Sequence, residues 1–376
     1  MNTISSENLK NQENLSNNKI EVIDGLRGLA ILMVLYHHIL RGPALELIHD
    51  IGRFLGVGQW IGVWAGWLGV NLFFILSGFV LFRPYFLQLR KMSNLSDVFA
   101  FYKKRYFRLY PLLIFNCLIS FFFILKPSVF SFKKLIFTLS AFSAFSCVDF
   151  YPLLNCVLWS LIIEIWFSLL FPFILFLINR FPFKKIGILI FLISLFIRLV
   201  GCFYLPDWSG PNPITDSFLG RLDDFFLGFV ICKLYYENNK IFSYRSWALF
   251  ASGIFLFFVA SLVGDLAWMG RISLYGRAFM YNFTQLSFFC LIVSAFNLKS
   301  SINYFFRVWP LRILGAMCFS IYVWHYMLVN TFCLLKNFNI TNFLIYMFFM
   351  LSFSALSYRY IEFGKEKSLK KIFLLE

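Results

Sequence analysis

Long apolar runs limit what this chain can fold into more than any other feature of its sequence. The runs Val70–Phe82 and Leu112–Leu125 contain no charged residue, and charged residues make up only 14% of the chain. Soluble domains carry about 25% charged residues. The apolar core of a bilayer is about 30 Å thick, which a helix of about 20 residues crosses. The sequence therefore predicts an integral membrane protein whose spans are helices.

Ten segments have the length and composition of transmembrane helices, so the predicted fold is an all-α bundle of about ten spans. A further apolar stretch, Leu135–Cys147, is short and contains three serines. The ten segments are Ile23–Leu40, Ile61–Phe82, Tyr106–Leu125, Val157–Ile178, Ile186–Leu205, Phe218–Tyr236, Trp247–Val263, Phe279–Phe296, Leu311–Leu334 and Ile340–Tyr360.

The distribution of Lys and Arg indicates how these spans are oriented, because cytoplasmic loops are enriched in positive charge. The loop Arg83–Arg105 contains six Lys and Arg residues and a single acid, Asp97, so we place it in the cytoplasm. If Leu135–Cys147 does not cross the membrane, the later basic clusters also fall inside. We therefore expect both termini in the cytoplasm, with Leu135–Cys147 as an interfacial or re-entrant segment on the outer side.

The net charge of +16 comes from basic clusters between the apolar runs, which indicates membrane topology rather than nucleic-acid binding. Residues 1–20 are polar and are predicted to form a disordered cytoplasmic tail. The transmembrane domain is expected over residues 21–364, followed by a basic cytoplasmic tail over residues 365–376. We expect membrane lipid, and no nucleic acid, among the partners of this chain.

Ionisable residues inside predicted spans are the first candidates for function, because each costs about 2.5–3.5 kcal/mol to insert. Four stand out, namely Arg27, His38, Glu164 and His325. A rise of about 1.5 Å per residue places His38 and His325 about 21–22 Å from the cytoplasmic side. The same rise places Glu164 about 10 Å below the outer side, so three protonatable side chains are expected at one depth.

A histidine beside a carboxylate can remove the proton from an attacking hydroxyl group, and the carboxylate fixes the imidazole tautomer. We therefore take His38 as the candidate base and Glu164 as its partner. The alternative is that a histidine in a membrane is only a polar contact between helices, and this alternative stays open for His325. His37 points about 100° away from His38, so the two cannot line one site equally.

Arginine residues near the cytoplasmic ends of the spans suggest an anion site. Arg27 lies eleven residues before His38, so the two share one helix face about 16 Å apart. Arg105 and Arg108 are three residues apart and also share a face. Guanidinium groups bind phosphate in a bidentate manner, which suits a phosphorylated donor such as CoA. The alternative is ordinary anchoring by positive charge at the inner membrane surface.

Seven short motifs occur in order along nearly the whole chain. They are IDGLRGLAILMVLYHH, NLFFILSGF, FYKKRYFRLYP, LWSLIIE, GRLDDFFLGF, SIYVWH and YRYIEFG. Together they resemble membrane acyltransferase family 3, the polysaccharide O-acetyltransferases of bacterial inner membranes. Each motif is short, and it is the order of all seven that carries the resemblance.

The resemblance implies acetyl-CoA as the cytoplasmic acyl donor. It implies an acceptor hydroxyl on a surface or lipid-linked glycan, such as lipopolysaccharide O-antigen. The eight cysteines show no metal-binding spacing, so we expect no metal. By this resemblance, Arg27 and His38 match an essential pair, Arg105 and Arg108 match Arg-x-x-Arg, and Glu164 matches Trp-Ser-Leu-x-x-Glu. His325 and Arg221 match weaker blocks to which no role is assigned.

Two departures from the family pattern bear on these expectations. Many members carry a C-terminal extracytoplasmic domain, whereas this sequence ends soon after its last predicted span, so we expect the membrane domain to complete the transfer. Pro usually follows the last Ile-Glu pair, where this chain continues Glu362-Phe363-Gly364. We expect that change to affect a helix end and not the proposed centre.

Two other classes of function stay open at this point. A transporter of an anion or a proton-coupled solute would also need buried titratable residues. Against it, the sequence shows no internal repeat and no pair of broken spans, and a transporter would not release CoA from acetyl-CoA. A non-catalytic assembly partner of glycan enzymes would tolerate Ala at the His and Arg positions.

Cys147 and Cys156 flank part of a predicted outer loop, where an oxidising compartment would permit a disulfide. A bridge between them is therefore a hypothesis, with two thiols at the membrane edge as the alternative.

Reporter fusions test the predicted orientation. Fusions after Arg90, Lys184 and Lys371 should all report a cytoplasmic position, because the ten-span arrangement keeps these basic clusters inside. A fusion near Asp207 should report an external position. The measurement is the activity of a compartment-sensitive reporter in intact cells, and a cytoplasmic signal at Asp207 would overturn the arrangement.

Overall fold

A computed structural model describes most of the apolar part of the chain. The described residues are 21–39, 64–205, 212–237, 240–243, 245–268, 272–273, 275–332 and 339–362, together with residues 368 and 374. The predicted tail over residues 1–20 and most of that over residues 365–376 lie outside the described residues. The division of the chain into a membrane domain and two tails therefore stays a prediction.

Within these residues the chain forms thirteen α-helices, three short 3₁₀ helices and no strand. Two of the α-helices continue as short π-helical segments, α3 through Ser120–Leu125 and α13 through Tyr358–Glu362. The helices are α1 Glu21–Ile39, α2 Gly69–Phe86, α3 Leu95–Ile119, α4 Val129–Leu139, α5 Leu158–Arg180, α6 Phe183–Tyr204, α7 Leu222–Tyr236, α8 Ser246–Trp268, α9 Gly276–Phe296, α10 Ser301–Phe306, α11 Trp309–Ala316, α12 Cys318–Thr331 and α13 Ile340–Ser357.

Eight of the described helices are long and apolar enough to cross a membrane, and the bent pair α11 and α12 makes a ninth candidate. The one remaining predicted segment, Phe218–Tyr236, corresponds to α7, which has 15 residues and is shorter than a full span. The prediction of an all-helical membrane protein is confirmed. The cytoplasmic position of both termini stays a prediction.

The predicted span Leu311–Leu334 is broken in the structure, where α11 and α12 meet at an angle of 75°. Both pieces contact α1, but α11 packs along it whereas α12 packs mainly against α13. The depth of His325 counted from Leu311 along one straight helix is therefore wrong. Counted from Cys318, where α12 begins, His325 lies about 10 Å along the helix.

The third predicted span begins earlier than expected, at Leu95 instead of Tyr106. Asn94 caps the N-terminus of α3, because its side-chain oxygen accepts a hydrogen bond of 2.9 Å from the backbone N–H of Asp97. The Asp97 carboxylate in turn accepts the backbone N–H of Ser93 at 2.9 Å. Arg105 therefore lies well inside a continuous helix and not at its start.

The short stretch Leu135–Cys147 does not form a span. It comprises the end of α4 and the 3₁₀ turn Phe142–Phe145, and the side chain of Trp166 holds it by donating a 2.8 Å hydrogen bond to the carbonyl of Ala141. The hypothesis of a disulfide nearby is wrong for this structure, since Cys147 is exposed with a free thiol and makes no bridge to Cys156.

Helices approach closely where glycine lies at the contact. A Cβ atom on Gly28 of α1 would lie 2.1 Å from the carbonyl oxygen of Leu311 in α11, and one on Gly228 of α7 would lie 2.1 Å from that of Ile75 in α2. Small residues allow this backbone contact, which drives helix association in membranes. α1 thereby packs among α2, α11 and α12 and brings their polar side chains together.

Substitution of Gly228 by Ala should reduce stability through this close contact. The new methyl group would meet backbone atoms of α2, which cannot move away without separating the helices, and overpacking of this kind typically costs about 1–3 kcal/mol. We expect a lower thermal transition and folded yield in detergent. Gly264→Ala is the matched control, because its Cβ would meet the flexible end of the Met280 side chain. Equal stability of the two variants would contradict the packing described here.

Candidate active site

Arg105 and Glu164 form an ion pair between α3 and α5. The guanidinium Nη2 of Arg105 lies 2.7 Å from Oε1 of Glu164, and its Nε donates to Oγ of Ser168 at 3.0 Å. Ser77 of α2 donates a further hydrogen bond of 3.3 Å to the same Glu164 oxygen. Both charged side chains are partly exposed, at 17% and 22%. Three helices thus hold the guanidinium of Arg105 in one orientation.

Arg108 is held by a second carboxylate, Glu362, at the end of the last described helix. Nη1 of Arg108 lies 2.9 Å from Oε2 of Glu362, whose side chain is only 1% exposed. Ser320 of α12 donates a 2.5 Å hydrogen bond to the other carboxylate oxygen. Glu362, the residue before the departure from the family pattern, thus contacts one of the two paired arginines. Phe363 and Gly364, where the departure lies, are outside the described residues, so the expectation about that change stays a prediction.

A wide cavity lies beside the two arginines of these ion pairs, Arg105 and Arg108. It has a volume of about 820 Å³ and is lined by a strongly basic set of side chains with one acid, Asp24. The basic residues that line it in the described part of the chain are Arg27, Arg83, Arg90, Lys104, Arg105 and Arg108. Six positive charges at one cavity favour an anionic ligand with several charges.

A narrower cavity continues from the wide one toward the middle of the bundle. Its volume is about 100 Å³, and its lining includes Glu164, Ser160 and Tyr322 beside several Phe, Val and Leu side chains. Three arginines, Arg27, Arg105 and Arg108, line both cavities, so the two adjoin. The predicted site residues Arg27, Arg105, Arg108 and Glu164 are therefore brought together around one connected space.

His38 and His325 meet at a second place, between α1 and α12. Nε2 of His325 lies 3.3 Å from Nδ1 of His38, and the two ring centroids are 4.9 Å apart. Nδ1 of His38 also lies 2.9 Å from the carbonyl of Val34, and Nδ1 of His325 lies 2.7 Å from that of Tyr322. The expected pairing of His38 with Glu164 is not formed.

In neutral imidazoles, these contacts favour one tautomer for each ring. A carbonyl oxygen can only accept, so each Nδ1 must carry its hydrogen and donate it. The Nδ1–H of His38 is then shared between the Val34 carbonyl and the lone pair on Nε2 of His325. The lone pair of His38 lies on its own Nε2, which is the atom able to accept a proton.

Two tyrosines of α12 link the histidine pair to cavities. Tyr322 lines the narrow cavity and its ring lies 5.5 Å from that of His325. The Tyr322 hydroxyl donates to the Val157 carbonyl at 2.7 Å. One helical turn further on, the ring of Tyr326 lies 5.1 Å from that of His38, and Tyr326 lines a third cavity of about 460 Å³. The histidines thus lie between cavities at the two ends of α12.

Arg221 lies elsewhere, in a fully buried ionic cluster. Its Nε donates to Asp216 at 3.0 Å, and its Nη1 lies 3.5 Å from Asp224. Tyr281 also donates to Asp216, at 3.2 Å. A second buried pair, Arg198 with Asp223, adjoins it at 2.6 Å. Arg221 lines neither of the two arginine-rich cavities. Its partners are carboxylates of the buried cluster, so it lies outside the candidate site.

The sequence analysis missed several side chains that build the site. Ser77, Ser168 and Ser320 are uncharged, so their composition did not indicate a role. Ser77 and Ser320 belong to two of the seven motifs, and Ser168 lies one helical turn after Glu164. Glu362 carried a signal, since it belongs to the last of the seven motifs. Within the part of the chain that the structure describes, no group of three or more His, Cys, Asp or Glu side chains is placed to hold a metal ion.

The fold and site define an integral membrane protein of helices, with a strongly basic cavity and, further along the bundle, a partly buried histidine pair. The chain belongs to the acyltransferase family 3, whose model, described as an acyltransferase domain, matches residues 20–359. The resemblance in the seven motifs is thereby confirmed over nearly the whole chain.

Curated relatives carry acetyltransferase names. O-acetyltransferase OatA of Staphylococcus aureus (strain NCTC 8325 / PS 47) is 27% identical over 90% of this chain and 56% of its own length. The chain therefore spans little more than half the length of these relatives. A protein named putative acetyltransferase ORF330, from Acidianus two-tailed virus, is 27% identical over 80% of each chain. No solved structure matches the chain.

Proposed function

We propose that this protein is a membrane O-acetyltransferase that moves an acetyl group from cytoplasmic acetyl-CoA to a hydroxyl of a glycan. The acceptor would be a surface or lipid-linked glycan, such as lipopolysaccharide O-antigen, at a bacterial inner membrane. Family membership and the names of the relatives support acyl transfer. The observation that carries the proposal is a cavity lined by six basic residues, which adjoins a narrower cavity that leads toward a partly buried histidine pair.

CoA carries a pyrophosphate and a 3′-phosphate, and the wide cavity has the charge to bind them. Arg105 and Arg108 offer planar guanidinium groups that pair with phosphate oxygens in a bidentate manner. Each is already oriented by a carboxylate, Arg105 by Glu164 and Arg108 by Glu362. Fixed orientation lowers the entropy lost on binding. Glu164 would therefore act on the donor site through Arg105 rather than on His38.

The narrow cavity suits the uncharged end of the donor. Apolar residues such as Phe73 and Phe74 line it, and its small volume admits a thin chain and not the nucleotide. In this arrangement the phosphates stay among the arginines while the pantetheine arm extends toward Tyr322. The thioester would then approach the end of the cavity that faces the histidine pair.

His38 would accept the proton of the acceptor hydroxyl on Nε2 as the oxygen attacks the thioester carbonyl carbon. The new C–O bond forms, the C–S bond breaks, and the imidazolium returns the proton to the departing CoA sulfur. The Nδ1–H of His38 faces the lone pair of His325, which stabilises the positive charge on His38 during the step. A transient acetyl-imidazole on His38 is the alternative route, with the same donor and acceptor.

Replacing Arg105 or Arg108 should test the donor site. Ala at either position removes a fork of donors to phosphate, so acetyl-CoA affinity should fall by about tenfold or more per residue. Lys should restore affinity only in part, because it keeps the charge and loses the bidentate geometry. The measurement is acetyl-CoA binding to purified protein, normalised to folded protein.

Arg180→Ala is the matched control for this experiment, since Arg180 is an exposed basic residue at the end of α5 that does not line the cavities. Its acetyl-CoA affinity should be unchanged. If Arg105→Ala and Arg108→Ala lost folded protein and binding in equal measure, anchoring by positive charge would explain these arginines better.

His38→Ala should leave the protein folded and inserted while lowering acetyl transfer by at least about 10²-fold, the contribution expected of a positioned base. His37→Ala should have a much smaller effect, because His37 points about 100° away from His38 around α1 and its Cβ lies beside Gly66. Glu164→Gln should lower acetyl transfer by an amount between those of the two histidine variants, since it keeps the shape of the contact with Arg105 and loses its charge. The measurement is acetylated glycan per folded molecule, together with release of CoA.

Near-normal turnover by His38→Ala would show that the catalytic base lies elsewhere, and His325 would be the next candidate. A protein that binds acetyl-CoA and never releases CoA would instead support the transporter alternative.

A further inference from the structure

A third cavity lies at the far end of α12 from the arginines. It has a volume of about 460 Å³ and is enclosed by the segment Tyr151–Cys156, the end of α3 and the last turns of α12. Tyr326 lines it and contacts His38. Since Tyr322, one turn earlier on α12, lines the narrow cavity of the donor side, the histidine pair lies between the two spaces.

The lining of this cavity differs in charge from that of the donor cavity. Among the described residues that line it, none is charged, and the polar ones include Tyr151, Asn155, Asn330 and Thr331. An aromatic and amide lining with no charge suits a neutral ligand with several hydroxyl groups. The described part of this lining offers no positive charge to compensate a phosphate or a carboxylate.

Asn155 carries a buried acceptor atom that the protein leaves without a hydrogen-bond partner. The residue is 4% exposed, and its Nδ2 donates to the carbonyl of Val323 at 2.9 Å and to Oδ1 of Asn116 at 3.1 Å. These two acceptors fix the orientation of the amide. Its Oδ1 has no partner among the described residues, although buried polar atoms are nearly always paired.

We propose that this cavity is the acceptor subsite and that it binds one uncharged sugar residue of the glycan. A sugar hydroxyl donates to Oδ1 of Asn155 and supplies the partner that this atom lacks. The apolar face of the ring packs against Tyr326, which brings a neighbouring hydroxyl toward His38. This inference rests on the proposed function and adds where the acceptor binds and that the bound sugar is neutral.

Steady-state kinetics of an Asn155→Leu variant test the subsite. The donor is acetyl-CoA, and the acceptor probe is the host's own envelope glycan, freed of O-acetyl groups by mild base and added at increasing concentration. We expect the KM for glycan to rise at least tenfold while kcat and the affinity for acetyl-CoA change less than about threefold. A purely structural role of Asn155 would reduce the folded fraction and leave the KM for glycan unchanged.

Asn303→Leu is the matched control, because Asn303 is also buried and donates to a backbone carbonyl, that of Ala295 at 2.7 Å, away from this cavity. Its KM for glycan should be that of the unaltered protein.

Leu153→Trp gives a second variant in case Asn155→Leu does not fold. Leu153 lines the cavity and is 51% exposed, so the larger ring should fit the fold, obstruct the cavity and raise the KM for glycan.

The outcomes separate the subsite from the proposed function. An unchanged KM for glycan in both Asn155→Leu and Leu153→Trp, with normal transfer by the unaltered protein, would overturn the subsite alone. Absence of any transfer or CoA release by the unaltered protein would overturn the proposed function and the subsite with it.

Discussion

The high free-energy cost of an unpaired charge inside a membrane organises this structure. Arg105 lies against Glu164 and Arg108 against Glu362, while Arg198 and Arg221 lie in a buried cluster with three aspartates. Removing one member of a buried pair leaves an uncompensated charge, which typically costs about 3–5 kcal/mol. Each pair therefore ties together the helices that carry its members. The same requirement places the arginines of the wide cavity in fixed orientations before a ligand binds.

The buried Arg221 cluster and the ion pairs of Arg105 and Arg108 differ in what surrounds them. The carboxylates of the Arg221 cluster are also bound by Tyr281, Gln285 and Asn71, and this buried network supports the packing of α2, α7 and α9. The pairs of Arg105 and Arg108 border an open cavity instead. Both guanidinium groups line that cavity, where the proposed phosphorylated donor would meet them. Polar chemistry of the same kind thus supports the bundle in one place and offers a binding site in the other.

Charge also changes along the proposed route of the acetyl group. The proposed donor side is strongly basic, both histidines contact carbonyl oxygens, and the described lining of the far cavity is uncharged. A charged donor and a neutral acceptor would therefore each find a matching environment on its own side. The break between α11 and α12 contributes to this arrangement, because it lets α11 follow α1 while α12 carries Tyr322, His325 and Tyr326 between the cavities.

The sequence by itself determined the membrane class, the approximate segments of the spans and most of the residues of the site. Hydrophobicity is a property of each segment, and the motif residues Arg27, Arg105 and Arg108 could be read in order along the chain. Only the tertiary structure decided the partners. The rise per residue gives a depth along a straight helix, but it gives neither the rotation of that helix nor its neighbours. For this reason Glu164 was expected beside His38 and instead holds Arg105, whereas His325 became the partner of His38 and Glu362 that of Arg108. These contacts depend on close helix packing across the bundle, which no local pattern in the chain specifies.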